Sequence, residues 1–230
     1  MCILCGGDGQ WLEEPFGLDL CIHCESACPC APPGPGSTFC LFRYEDPVDL
    51  LVQRLKFRGD IPVARVLGTL MARALRAQHR PLPQCLVPMP LHVSRYRERG
   101  FCQTTEIAQH IARRLHRPDG TRLPLRRDLL QRVRATRAQS GLAAAERARN
   151  LQGAFAARTG DGPPPAHIAL LDDVLTTGRT AQAAITALHA AGVHKVELWC
   201  CTRALRHADD APADPGARHG ASIWSAGPIC

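Results

Sequence analysis

The sequence predicts an α/β protein, with a mostly parallel sheet flanked by helices and a small cysteine-rich module at the N-terminus. Short apolar runs at residues 86–90 and 168–171 suit strands that are buried on both faces. Each run is followed by apolar residues at helical spacing, at about 104–115 and 181–191, and a third apolar run follows at 196–200. Alternation of this kind is typical of parallel strands joined by helical crossovers.

Further elements are predicted before and between these units. Residues 48–55 carry apolar side chains at helical spacing, and another helix is predicted over about 63–78. Residues 95–100 are predicted to form a polar loop after the strand at 86–90. The region up to about residue 155 is predicted to contain another strand and loops.

The length of 230 residues suits one main domain and a small appendage. We predict a cysteine-rich module at 1–41, the main domain at 42–205, and a disordered tail at 206–230, which has no hydrophobic periodicity. The sequence has no run of about 18 apolar residues and no secretory signal pattern. We therefore expect a cytoplasmic location without membrane insertion.

The twelve cysteines are concentrated near the N-terminus. Cys2 and Cys5 form one CxxC pair, Cys21 and Cys24 form a second, and 15 residues separate the pairs. This spacing allows two knuckles to meet around one tetrahedral ion, so it predicts a structural Zn²⁺ site in preference to redox cysteines. The roles of Cys28, Cys30 and Cys40 stay open at this stage.

Two acids and a hydroxyl-rich turn follow the apolar run at 168–171. Asp172 and Asp173 come first, where their carboxylates can accept hydrogen bonds from vicinal hydroxyls. The next segment, before the helix, offers backbone N–H groups and hydroxyls to an anion and consists of Thr176, Thr177, Gly178, Arg179 and Thr180. The pattern predicts a cradle for a ribose 5-phosphate. The alternative is a polar turn in which the acids only cap neighbouring amides.

The run from Leu171 to Thr180 resembles the phosphoribosyl pyrophosphate (PRPP) motif of type I phosphoribosyltransferases. The resemblance implies a phosphoribosyltransferase-like fold. It also implies that Asp172 and Asp173 hold the ribose hydroxyls, that residues 176–180 hold the 5-phosphate, and that Mg²⁺ accompanies PRPP. No residue identifies itself as a general base, so catalytic residues stay unknown.

Arginines are concentrated in one segment. Residues 95–158 contain 15 arginines, no lysines and 5 acids, a local net charge of +10 in a chain whose total is +7. Arginine forks favour phosphate groups, so the segment predicts a polyphosphate or nucleic-acid partner, the alternative being a solvated basic face.

Within this segment, the loop after the strand at 86–90 contains Arg97, Arg99 and Gly100, which we predict to bind pyrophosphate. Further along, Arg134, Arg137 and Arg147 are predicted to contribute to a mobile lid or to contact nucleic acid. A surface helix would give a similar pattern.

Several segments together resemble the ComF-type competence proteins. These segments are Leu55-Lys-Phe-Arg-Gly-Asp60, Val87-Pro-Met-Pro-Leu91, Arg97-Glu-Arg-Gly-Phe101, Arg134-Ala-Thr-Arg-Ala-Gln139 and the PRPP motif. The resemblance implies an N-terminal zinc module joined to a phosphoribosyltransferase-like domain, with a role in DNA uptake. The chain departs from the family at the incomplete second set of knuckle cysteines and at Cys102, where relatives tend to have asparagine.

The resemblance, together with the arginine-rich segment, thus implies a protein of DNA uptake and natural transformation that binds PRPP, contacts single-stranded DNA and works with other competence-machinery proteins. The alternative is an active phosphoribosyltransferase of nucleotide metabolism or salvage with an unidentified acceptor. A pure PRPP-responsive regulator ranks last, because the sequence has no evident helix-turn-helix.

Overall fold

The computed structural model describes residues 1–7, 20–32, 34, 36–135, 153–158 and 162–205. Its helices are α1 (Ile22–Ser26), α2 (Val48–Arg58), α3 (Ile61–Ala77), α4 (Val93–Arg99), α5 (Gln103–Arg114) and α6 (Arg179–Ala190). Its strands are β1 (Thr38–Arg43), β2 (Cys85–Pro88), β3 (Leu130–Arg132), β4 (Phe155–Ala157), β5 (His167–Leu175) and β6 (Lys195–Arg203).

The main sheet is parallel and has the strand order β1-β6-β5-β2. Strand β5 lies inside the sheet, pairing with β2 on one side and with β6 on the other. Strands β3 and β4 form a separate antiparallel pair. Because every main strand runs the same way, the carboxyl ends of β2, β5 and β6 meet at one edge.

Helices cover both faces of the main sheet, as the alternating pattern predicts. Ala169 and Leu171 of β5 pack in one buried cluster with residues of α2, α3 and α5. Ile168 and Leu170 pack on the opposite face with α6 and the β3–β4 pair. Successive strand side chains point to opposite faces, so one apolar run serves both clusters. The predicted fold class of a parallel sheet flanked by helices is confirmed.

Some element boundaries differ from the prediction. Strand β5 continues to Leu175, four residues beyond its apolar run, because β6 stays in register with it as far as Arg203. Strand β1 was not predicted, since its six residues follow directly on a proline- and glycine-rich stretch. Residues 93–99, of which 95–99 were expected in a loop, form helix α4.

The N-terminal cysteine-rich segment packs against the main sheet and its helices. Its residues Cys2, Leu20 and Cys24 belong to the same buried cluster as α2 and α3. A buried ion pair joins the two parts, with Arg73 on α3 lying 3.2 Å from Glu25 on α1. Strand β1 spans the boundary expected between residues 41 and 42. The predicted tail at 206–230 lies outside the described residues.

No helix in the described ranges is long and apolar enough to cross a membrane.

Helices α3 and α5 cross at Gly68. A Cβ atom at this position would lie 2.6 Å from the Cβ of His110 and 2.8 Å from the backbone oxygen of Ile107. Neither of these atoms belongs to the free end of a flexible side chain. The close approach therefore requires glycine.

We expect Gly68→Ala to lower the free energy of unfolding by about 1–3 kcal/mol, because the two helices must separate to admit the methyl group. This loss exceeds the gain of about 1 kcal/mol in helix propensity. Chemical unfolding of the purified protein measures the change. Gly162→Ala is the control, since a Cβ atom there meets nothing within 4 Å. Equal stability of the two variants would contradict the proposed helix contact.

Candidate functional site

The two acids of the signature segment lie near the carboxyl end of β5. Asp172 and Asp173 are part of the strand, three and two residues before its end at Leu175. The exposed residues Thr176 and Thr177 follow in the turn that leads into α6. Because neighbouring strand residues point to opposite faces, the two carboxyl groups lie on different sides of the sheet.

Asp173 is buried and bonded to the protein. Its carboxylate Oδ2 lies 2.9 Å from the ammonium group of Lys56 at the end of α2. The same oxygen accepts a hydrogen bond from Nε2 of Gln103 at 3.1 Å, and Oδ1 accepts one from the N–H of Val174 at 2.8 Å. The side chain of Asp173 therefore connects β5 with α2 and α5.

Asp172 faces the other side of the sheet and is partly exposed. Its Oδ1 accepts a hydrogen bond from the N–H of Asp173 at 3.0 Å. Burial and the charge of Asp173 raise the pKa of Asp172 to about 7, although Lys56 acts in the opposite direction. Burial lowers the pKa of Arg132, and the negative charge of Asp172 acts against this lowering. Asp172 is thus a hydrogen-bond acceptor whose charge changes near neutral pH.

The turn after β5 has the geometry of an anion-binding helix start. Gly178 has a φ of +72°, in the left-handed region that favours glycine, and α6 begins at the next residue. Because the N-cap position is a glycine, it offers no side chain to cap the first turn of α6. The N–H groups of this turn and the hydroxyls of Thr176, Thr177 and Thr180 therefore lie at the end of the strand, where an anion can reach them.

The arginines predicted to bind pyrophosphate lie on and after α4. Arg97 is exposed, and Gly100 ends the helix with a φ of +81°. The guanidinium of Arg99 donates a hydrogen bond to Oε1 of Gln103. Since Nε2 of the same Gln103 donates to Asp173, the structure joins Arg99 to the carboxyl end of β5 through one side chain.

The residues predicted for the lid are only partly described. Arg134 is exposed and lies two residues after the end of β3. Arg137 and Arg147 lie outside the described residues. The lid therefore stays a prediction.

The N-terminal module contains a cluster that could hold a metal ion. The four sulfur atoms of Cys2, Cys5, Cys21 and Cys24 lie within 4.8 Å of one another. The N–H of Cys21 donates to Sγ of Cys2 at 3.3 Å, and the N–H of Gly7 donates to Sγ of Cys5 at 3.4 Å. Four convergent thiols fit the tetrahedral coordination of a structural metal site.

Backbone and burial act differently on these thiols. Burial by itself would raise the pKa of Cys2, but hydrogen bonds from the backbone N–H groups of Cys21, Cys5 and Leu4 lower it to about 6. Burial and the neighbouring thiols raise the pKa of Cys24. A bound cation would favour the thiolate form of all four side chains.

Other cysteines lie apart from this cluster. Cys28 is buried and donates a hydrogen bond to the backbone oxygen of Cys24 at 3.3 Å, and Cys40 pairs in register with Cys200 across β1 and β6. Cys102 is buried at the start of α5, with its sulfur 3.1 Å from Oγ1 of Thr104. At this position the chain therefore has a buried thiol that contacts a hydroxyl.

Sequence reasoning missed the partners of the acids. Gln103 and Arg132 were not singled out, and Lys56 was named only within the segment Leu55-Lys-Phe-Arg-Gly-Asp60. Lys56 lies 117 positions before Asp173 in the sequence, and Gln103 lies 70 positions before it. A weak signal was present in the sequence. Lys56 lies three residues before Gly59 and Gln103 lies three residues after Gly100, and each of these glycines ends a helix.

Solved structures with a related shape are phosphoribosyltransferases. A mutant hypoxanthine phosphoribosyltransferase from Trypanosoma cruzi, complexed with the product IMP, is 13% identical, with 62% of this chain and 65% of its own covered and a TM-score of 0.37. The Staphylococcus aureus enzyme is 11% identical, with coverage of 61% and 62% and a TM-score of 0.36. Because these TM-scores are low, the fold rests on the sheet topology described above.

No protein-family model matches the chain. Competence protein F of Haemophilus influenzae is 32% identical over 166 residues, which cover 70% of each chain. DNA utilization protein YhgH is 34% identical in Salmonella typhi and 32% identical in Escherichia coli K12, again over 166 residues and 70% of each chain. These identities over 70% of each chain show that the chain belongs to the family of Competence protein F and the DNA utilization proteins YhgH.

Proposed function

We propose that this protein binds PRPP together with Mg²⁺ at the carboxyl end of β5 and acts in DNA uptake or use, contacting single-stranded DNA and other competence proteins. The relatives that support this role are named for competence and DNA utilization. PRPP is an intracellular metabolite, so the proposed location is the cytoplasm. One observation carries the PRPP proposal: Asp172, the turn at Gly178 and the start of α6 follow one another at the carboxyl end of the buried parallel strand β5.

Each part of PRPP has a matching group in this arrangement. The 5-phosphate would bind the threonine hydroxyls and the N–H groups at the start of α6. The ribose hydroxyls would donate to the partly exposed Asp172. Asp173 would reach the ribose only by giving up its ion pair with Lys56, so its main contribution is to hold the strand end in place. The pyrophosphate would meet Arg97, Arg99 and Gly100, and Mg²⁺ would offset its remaining charge.

An active phosphoribosyltransferase is the second candidate function. One observation favours it specifically: burial and Asp173 raise the pKa of Asp172 to about 7, which suits a proton acceptor at neutral pH. In that case Asp172 would take a proton from the acceptor molecule, and the arginines of α4 would stabilise the departing pyrophosphate. No acceptor is identified by the described residues.

The proposed metal of the N-terminal module is Zn²⁺ with a structural task. Four cysteines with two CxxC spacings favour zinc over the oxygen-binding cations. The cluster packs in the same core as α2 and α3, so metal binding would stabilise the surface that the module shares with the main domain.

We expect Asp172→Asn to weaken PRPP binding at least about tenfold, because a charged acceptor for the ribose hydroxyls is lost. Isothermal titration calorimetry of the full chain with PRPP and Mg²⁺ measures the affinity. Asp128→Asn is the control, since Asp128 is an exposed acid paired with Arg126. Unchanged PRPP affinity in Asp172→Asn would contradict the assigned site.

The same variant should alter stability in a pH-dependent way. The folded-state pKa of Asp172 is raised, so the folded protein holds a proton that the unfolded chain loses above about pH 4, and stability falls as pH rises toward about 7. We expect Asp172→Asn to be more stable than the wild type at about pH 8, by up to about 4 kcal/mol, and equal to it below about pH 4. Chemical unfolding across this range is the measurement. A wild type that is the more stable protein at high pH would contradict the raised pKa.

Two measurements on the wild type separate the candidate functions. Release of pyrophosphate from PRPP with a panel of nucleobases is expected only for an active transferase. Titration with single-stranded DNA at several salt concentrations is expected to give a slope of about −0.7 for each phosphate that is neutralised. Salt-dependent DNA binding without pyrophosphate release would exclude the transferase for those bases, and the reverse result would exclude the DNA contact.

We expect Cys2→Ser to lose most of the zinc that the wild type contains and to unfold at a lower temperature, because one of four ligands is removed. Metal analysis of the purified proteins measures the content. Cys28→Ser is the matched control, since Cys28 is buried in the same module but lies outside the four-thiol cluster. Equal zinc in Cys2→Ser and the wild type would overturn the ligand set.

A further inference from the structure

Helix α4 lies largely exposed on the surface. None of its seven residues, Val93–Arg99, is buried, although the other helices each bury part of one face. Val93 is 52% exposed and Tyr96 is 50% exposed, so even its apolar residues face outward. Large apolar side chains that lie close together on an exposed surface are typical of interaction sites.

The exposed side chains of α4 continue onto the end of α2. Val93, Tyr96 and Arg99 follow one another at intervals of three residues, so they lie on one face of α4. The guanidinium carbon of Arg99 lies 5.9 Å from the centre of the Phe57 ring. Phe57, near the end of α2, is itself 77% exposed. Arg99 therefore contacts the ring of Phe57 on α2 and lies on the same face of α4 as Tyr96.

Positive charge surrounds these rings. Arg95 and Arg97 lie on α4 beside Tyr96, and Arg58 follows Phe57, and all three are exposed. Glu98 is the single acid of α4 and lies 3.4 Å from Arg95. The net positive charge of this surface favours a polyanionic partner over a protein partner with few acidic residues.

From these observations we infer that Phe57 and Tyr96 form a stacking platform for the bases of a single-stranded nucleic acid, with Arg58 and Arg95 contacting its phosphates. The inference rests on the proposed DNA contact and names the surface that makes it. Exposed aromatic rings beside a basic surface are the combination by which proteins bind single strands without reading their sequence. A duplex fits less well, because its bases are stacked on one another and offer no free faces.

The stacking platform adjoins the candidate PRPP site. Arg99 contacts the Phe57 ring and donates to Gln103, and Gln103 donates to Asp173. Phe57 also directly follows Lys56, the ion-pair partner of Asp173. One set of side chains thus separates a bound strand from a bound sugar phosphate.

The test compares two fluorescent strands of equal length, an oligothymidine and an abasic sugar-phosphate strand, by anisotropy with the full chain. We expect Phe57→Ala and Tyr96→Ala each to weaken binding of the oligothymidine about tenfold, since each removes one stacking surface. Binding of the abasic strand and the salt slope should stay unchanged. Phe57→Trp and Tyr96→Phe should keep the wild-type affinity, because both retain an aromatic ring.

Leu50→Ala is the matched control, because Leu50 is a 47% exposed apolar residue at the other end of α2. It should bind both strands like the wild type. If Phe57→Ala and Tyr96→Ala bind oligothymidine as well as the wild type does, the stacking platform is wrong while the DNA contact stands. If both variants lose affinity equally for the abasic strand, stacking is also wrong. If the wild type binds neither strand, the proposed DNA contact fails, and a protein partner becomes the occupant of this surface.

Discussion

The ion pair between Lys56 and Asp173 is the interaction on which the candidate site depends. Two adjacent carboxylates at the end of a buried strand repel each other and resist burial. Lys56 lies 2.9 Å from Asp173, so one of the two charges is balanced inside the protein. The same carboxylate holds Gln103, and through it Arg99, which orients α5 and α4 around the strand end. Removal of one partner would leave a buried charge without compensation, which is strongly destabilising.

Asp172 and Asp173 have different chemistry although they are neighbours in the sequence, because only Asp173 pairs with Lys56. Asp173 is buried and bonded on the face of α2 and α5, whereas Asp172 lies on the other face with part of its side chain exposed. The pKa of Asp172 is raised to about 7, so its charge is responsive to whatever binds beside it. A cationic or hydroxyl-rich ligand would favour its charged form. The alternation of side chains along a strand therefore separates a buried, ion-paired carboxylate from a partly exposed one.

The cysteine-rich segment and the sheet depend on each other. Of the four cysteines that could hold a metal, Cys2, Cys21 and Cys24 are buried in the same apolar cluster as residues of α2, α3 and α5. The buried pair of Arg73 and Glu25 connects α3 with α1. Helix α2 thus contacts this module at one side and provides Lys56 to the candidate site at its end. One helix therefore contacts both the cysteine-rich segment, through Arg54 and the backbone oxygen of Ile3, and the candidate site, through Lys56.

The parallel α/β architecture, the metal-binding spacing of the four cysteines, and the order of acids, turn and helix along β5 and α6 could all be predicted from the sequence, because these features depend on residues that are near one another in the chain. The packing of the fold shows which acid is buried and which is partly exposed, because both lie where β5 extends past its apolar run and pairs with β6. It also brought Lys56 and Gln103 to Asp173 across 117 and 70 positions, and set the Arg99 guanidinium over the ring of Phe57. Contacts between residues so far apart in the sequence arise when α2 and α5 pack on the sheet. No local pattern of residues encodes them.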